Sequence, residues 1–133
     1  VPSLALAANG DIPYFRVLGT GYNTPDGTGI RDYIHITDLA NGHVMAIKKL
    51  YSQPNVYTYN LGTGRGYSVL ETIKAFEKAS GREIPYKIET ARDGDIAEMY
   101  ACSDKAREEL GWTAKYGLED ICRSAWNWHN KIY

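Results

Sequence analysis

Stretches with an apolar residue at every second position alternate with stretches of near-3.6 spacing along this chain, an order that predicts a mixed α/β fold. "YFRVL" (Tyr14–Leu18) follows Pro13 and reads as a short strand. A turn-rich segment then runs through Gly19, Gly21, Pro25, Gly27 and Gly29. "RDYIHI" (Arg31–Ile36) reads as a second strand. Asp38 stands where it can cap a helix carrying Leu39, His43, Ala46, Ile47 and Leu50 on one face. "VYTYNL" (Val56–Leu61) predicts another strand, ended by the glycine turn "GTGRG". Ser68, with Glu71 three residues on, predicts a capping box. The helix it opens shows Leu70, Ile73 and Phe76 and stops at Gly81. "PYKIET" (Pro85–Thr90) reads as a strand, and Ser103 as the cap of a short helix closed by Gly111. A final amphipathic helix runs from Leu118 through Ile121, Ala125 and Trp128.

No repeat or linker divides residues 1–133, so one domain is expected. Hydrophobic residues make up 44% and charged residues 23%, which excludes a disordered chain. The net charge is -1 and the 15 basic residues are scattered, which argues against nucleic acid or an anionic membrane as partner. No apolar run approaches the ~18 residues of a membrane span. The opening "VPSLALAANG" lacks the basic region of a signal peptide, and it begins abruptly, as though an element preceded it. Cys102 and Cys122 sit in no C-x-x-C pair and have no histidine at ligand spacing, so two buried, reduced thiols of a cytosolic protein are expected, and no metal. The 11 tyrosines against 2 phenylalanines suit half-polar pockets, although many such rings simply rim a core.

Two arginines carry the candidate chemistry. Arg31 follows the tight turn Gly27-Thr28-Gly29, and Arg92 lies with Asp95 in a second loop directly after a strand. A forked guanidinium matches a pair of phosphate oxygens, and an aspartate beside it suits a ribose hydroxyl. Taken alone, either arginine is more often a solvated surface or ion-pair residue. "LGTGRGYSVLETI" has the look of a dinucleotide loop, but its glycines run G-x-G-x-G. Tyr67 stands where G-x-G-x-x-G requires its third glycine, and only Glu89 and Asp93 are candidates for the ribose-binding acid. A plain strand-to-helix turn is the better reading, though its N–H groups could still face a ligand.

Three segments in order resemble the UDP-glucose (UDP-galactose) 4-epimerases of the extended short-chain dehydrogenase/reductase family. They are "DGTGIRDYIHITDLANGHVMAIKKL" (Asp26–Leu50), "YNLGTGRGYSVLETIKAFEKASGREIPYK" (Tyr59–Lys87) and "RDGDIAEMYACSDKAREELGW" (Arg92–Trp112). The resemblance implies a small mixed α/β substrate-binding lobe, the C-terminal part of such an enzyme, lacking most of the N-terminal Rossmann domain. It implies that Arg31 and Arg92 hold the diphosphate of UDP-glucose or UDP-galactose and that Asp95 holds the uridine ribose. Tyr33 and Val69 fall beside the nucleotide, and Leu18 where the family often has an aromatic against uracil. Met99 falls at a gate whose bulk tunes access for N-acetylated sugars. Without the resemblance, Tyr33, Val69 and Met99 read as packing residues.

The family's reaction interconverts the two sugars through a 4-keto intermediate, using bound NAD and the tyrosine of a Y-x-x-x-K motif. No tyrosine of this chain has lysine four residues later, and no G-x-G-x-x-G is present. NAD is therefore expected in the complete family enzyme and not on this chain alone. The isolated chain is expected to be inactive until it meets an NAD-binding half, and to reside in the cytoplasm. The alternatives are a non-catalytic UDP-sugar-binding module and a fragment of a related sugar-nucleotide dehydratase or decarboxylase. Arg16 and Leu18 stand where the family usually has small and aromatic residues, and Ala91 and Asp93 where it commonly has arginine and glutamate.

Overall fold

The computed structural model describes residues 1–132. Ten elements follow one another: α1 (Pro2–Asn9), β1 (Phe15–Leu18), β2 (Ile30–Asp32), α2 (Ile36–Ser52), β3 (Gly66–Ser68), α3 (Val69–Ser80), β4 (Tyr86–Glu89), β5 (Glu98–Met99), α4 (Asp104–Leu110) and α5 (Leu118–Ile132). This is the small mixed α/β architecture expected. Strand β1 pairs in parallel with β4, setting Arg16 beside Lys87 and Leu18 beside Glu89. In the second sheet β2 lies between antiparallel β3 and parallel β5, so that Arg31 faces Tyr67 on one side and Met99 on the other.

The core lies between the helices and β1. Leu4 and the alanines of α1 pack with Val17, Ile73, Phe76, Ile84, Leu118, Cys122 and Trp126. Trp126 meets the edge of Phe76, with ring centroids 6.2 Å apart. The inward face of α5 therefore runs through Trp126, whereas Trp128, expected on that face, is 67% exposed. Helix α1 was not expected. Proline at its first turn, small alanines against the core and Gly10 closing it in the left-handed region together make a helix of eight residues.

Three other expectations are corrected. Asp38 does not cap α2; His35 does, its Nδ1 accepting the Thr37 N–H at 3.1 Å. Asp38 sits inside the first turn, buried, where its carboxylate accepts the Lys115 and Tyr116 N–H groups at 2.9 and 3.0 Å. Consequently β2 ends at Asp32, because the chain must turn into the cap. The segment Val56–Leu61 forms no ladder: its alternation is real, with Tyr57 and Tyr59 stacked at 6.0 Å, but no described strand lies alongside it. Only one cysteine is buried, Cys122; Cys102 is exposed, and both are free. The capping box on α3 forms as the sequence predicts, closed by Gly81.

Candidate functional site

The loop before β2 is built around a carboxylate. Asp26 accepts the Thr28 N–H at 2.9 Å and the Thr28 hydroxyl at 2.7 Å, and its other oxygen takes the Ser68 hydroxyl. Thr28, fully buried, in turn accepts the Val69 N–H at 3.2 Å, which locks the loop to the start of α3. Burial works against the charge on Asp26, but the hydrogen bonds from Ser68 and Thr28 outweigh it and hold the carboxyl below its ordinary range. Gly27 makes the turn possible. It sits at φ 78°, and a Cβ there would lie 2.3 Å from the Thr20 carbonyl oxygen.

This loop delivers Arg31 to the wall of a cleft. Its guanidinium donates to the Ile30 carbonyl at 2.8 Å and approaches Asp95 at 3.5 Å. The cleft has a volume of about 210 Å³ and is lined by Phe15, Arg16, Leu18, Tyr22, Gly29, Arg31, Val69, Arg92 and Asp95. Five residues proposed from the sequence, Leu18, Arg31, Val69, Arg92 and Asp95, thus share one cavity. A second hollow of about 300 Å³ adjoins it through Phe15, Arg16, Leu18 and Arg92 and continues to Ser3, Ile12 and Tyr14. Tyr33 and Met99 do not line either hollow. Tyr33 packs against the core, and Met99, 57% exposed, lies beside Arg31 in the sheet.

The sequence reading missed Arg16, Tyr22 and Phe15 as wall residues. For Arg16 a signal was available, since it lies two residues from Leu18 on a strand and so shares its face. Its guanidinium bonds Glu89 at 2.6 Å, and that hydrogen bond holds it still more firmly protonated. The Arg92 side chain is exposed and has no hydrogen-bond or ion-pair partner among the described residues, while its carbonyl accepts the Asp95 N–H at 3.2 Å. Three guanidinium groups against the carboxylates of Asp95 and Glu89 leave the cleft with an excess of positive charge, suited to an anion between Arg31 and Arg92.

The glycine turn does not fit a dinucleotide. Asp32 accepts the Thr63 and Gly64 N–H groups at 3.0 Å each, and the Thr63 hydroxyl at 2.6 Å. Gly62 donates to the Ser103 hydroxyl at 3.2 Å and Arg65 to the Thr63 hydroxyl at 3.2 Å. At the helix start, Ser68 donates to Glu71 and Glu71 to Ser68. The N–H groups of Thr63, Gly64, Arg65, Ser68, Val69 and Glu71 are thus already taken within the chain. Among the described residues, no group of three His, Cys, Asp or Glu side chains could hold a metal ion. No helix of the described residues is long and apolar enough to cross a membrane.

The sequence profile of the GDP-mannose 4,6 dehydratase family matches residues 2–125. The chain belongs to this family. Within the GDP-mannose 4,6 dehydratase family it is similar to UDP-glucose 4-epimerases. It is 53% identical to UDP-glucose 4-epimerase 3 of Oryza sativa subsp. japonica, across 98% of this chain and 36% of that relative. It is 52% identical to UDP-glucose 4-epimerase of Bacillus subtilis, across 98% of this chain and 38% of that one. Among solved structures, UDP-glucose 4-epimerase from Bifidobacterium longum in complex with NAD+ and UDP superposes with a TM-score of 0.93 at 52% identity, covering 98% of this chain and 38% of that chain. The chain thus spans well under half the length of the relatives it matches.

Proposed function

We propose that the cleft binds the nucleoside diphosphate of a UDP-sugar, UDP-glucose or UDP-galactose, and that residues 1–133 are the substrate-binding lobe of a UDP-glucose 4-epimerase. The observation that carries this reading is the convergence of Leu18, Arg31, Val69, Arg92 and Asp95 on one cavity from four separate segments. In it, Arg31 and Arg92 clamp the diphosphate, Asp95 accepts from the ribose hydroxyls and Leu18 packs against the uracil. Tyr33 supports the nucleotide side from the core, and Met99 stands at the sugar end as the gate. The two unbridged cysteines suit a reducing compartment, and the cytoplasm is where we place the protein.

The reacting groups are not on this chain. The sequence carries neither Y-x-x-x-K nor G-x-G-x-x-G, and Asp32 closes the one glycine turn that resembles a dinucleotide site. Interconversion of the two sugars therefore needs an NAD-binding lobe. Two features of the surface suit such a partner: the apolar outer face of α2 and the extended segment Val56–Leu61, which joins no ladder among the described residues, with Val56 92% exposed.

The test is a titration with UDP at low and high salt, followed by heat or chemical shift. Each charged hydrogen bond to the diphosphate contributes about 1.5–3 kcal/mol. Arg31→Ala and Arg92→Ala are each expected to weaken a saturable, salt-sensitive interaction roughly tenfold or more. Absence of saturation at millimolar UDP would refute the reading. A free-standing UDP-sugar-binding module is the second reading. Its signature is undiminished UDP binding with no gain of epimerisation when an NAD-binding lobe is supplied.

A further inference from the structure

Among the described residues, one buried side-chain polar atom has no hydrogen-bond partner: the hydroxyl of Tyr22. Its residue lines the cleft together with Arg31, Arg92 and Asp95. The ring is fixed in place. The Tyr22 N–H donates to the Gly27 carbonyl at 3.1 Å, and the ring lies so close over Gly19 that a Cβ there would meet Tyr22 Cε2 at 2.9 Å and the Ala91 Cβ at 2.8 Å. Gly19 is thus a position where any side chain would displace the ring or the loop leading to Arg92.

A phenolic hydroxyl held out of water without a partner is unfavourable, and such a group persists where something outside the chain completes it. Arg92 lines the same cleft. Its side chain is exposed and unpaired among the described residues, and its loop turns at Gly94, φ 81°. An anion drawing Arg92 inward would shift this wall and open the phenol to the ligand.

We infer that Tyr22 is a further binding residue of the cleft, donating its phenolic hydrogen to an acceptor oxygen on the ribose–diphosphate part of the nucleotide. The inference rests on the reading of the cleft as a nucleoside diphosphate site. Its effect is to fix the nucleotide opposite Arg31 from the turn that precedes β2. The unliganded chain carries the unpaired hydroxyl as a local instability that the ligand relieves.

The experiment compares wild type with Tyr22→Phe in two measurements, thermal unfolding without ligand and titration with UDP. The expected result is a UDP dissociation constant raised about tenfold with a ligand-free Tm equal to or above wild type. That combination separates a ligand contact from a merely structural hydroxyl, whose loss lowers Tm. Unchanged UDP affinity in Tyr22→Phe overturns the inference and leaves the nucleotide reading standing. A lowered ligand-free Tm also overturns it, since the hydroxyl then has a partner within the folded chain. Failure of the wild type itself to bind UDP removes the nucleotide reading and this inference together.

Discussion

At the scale of single residues, burial rather than residue type decides what a side chain can do, and the two cysteines illustrate it. Burial pushes the Cys122 thiol up to about 11, while Cys102 stands exposed with its thiol donating to Asp104 at 3.2 Å. At pH 8 iodoacetamide is expected to modify Cys102 in the native protein and Cys122 only in denaturant, read by mass spectrometry. Because the folded value lies above the ordinary ~8.5, the fold favours the neutral thiol. That contribution is fully present below about pH 8.5 and fades as pH rises through about 11. Equal labelling of both thiols in the native state would contradict this. Asp38 is the other decisive residue, with two backbone N–H groups on one buried carboxylate oxygen and the Trp112 indole donating to its carbonyl at 3.0 Å. Asp38→Ala strands those N–H groups and is expected to cost about 2–4 kcal/mol in chemical denaturation. The sequence offered Arg31, Arg92 and Asp95 as candidates by their places after a turn and a strand, and only the resemblance to the 4-epimerases gave them roles. It did not show His35 as a cap, because histidine is not among the preferred N-cap residues, nor Tyr22 as a wall residue, because that role is set across a turn.

At the scale of elements, the capping box of α3 was legible because its two partners lie three residues apart, and local hydrogen bonds survive any tertiary arrangement. The extra partner was not: the Ser68 hydroxyl also reaches Asp26, 42 residues earlier. Ser68→Ala therefore removes a cap and a loop anchor together, with an expected loss of about 1–2 kcal/mol. Thermal unfolding checks this, and a loss below a few tenths would show that Thr28 alone holds the loop. Asp26 gives the same junction a pH dependence. Its folded pKa is lowered, so its contribution is present above the ordinary ~3.9 and is lost as pH falls below that value through the folded one. The acid limb of a stability profile is expected to flatten in Asp26→Asn. Strand Val56–Leu61 failed as an expectation for the opposite reason. Alternation fixes which side each residue faces, but a ladder needs a neighbour, and none is present among the described residues.

At the scale of the whole molecule, the outer face of α2 is left bare. Ile36, Val44, Ile47, Leu50 and Tyr51 fall within about a third of the helix circumference at 100° per residue, and they are 71%, 49%, 52%, 47% and 86% exposed. The periodicity that placed Leu39, His43, Ala46, Ile47 and Leu50 on one face is met by a helix, but only Asp38 and Gly42 of α2 are buried. An exposed apolar stripe is costly in water and suits a partner that offers an apolar face. In the reading proposed above, that partner is the NAD-binding lobe. The double variant Val44→Lys, Ile47→Lys places charge on this stripe without touching the cleft or the core. It is expected to keep the wild-type melting curve and UDP affinity, to self-associate less in light scattering, and to lose binding to a separately produced NAD-binding lobe of a 4-epimerase by tenfold or more. Undiminished lobe binding would mean that the stripe is not the docking surface, and the lobe would then have to meet this chain through the rim of the cleft alone.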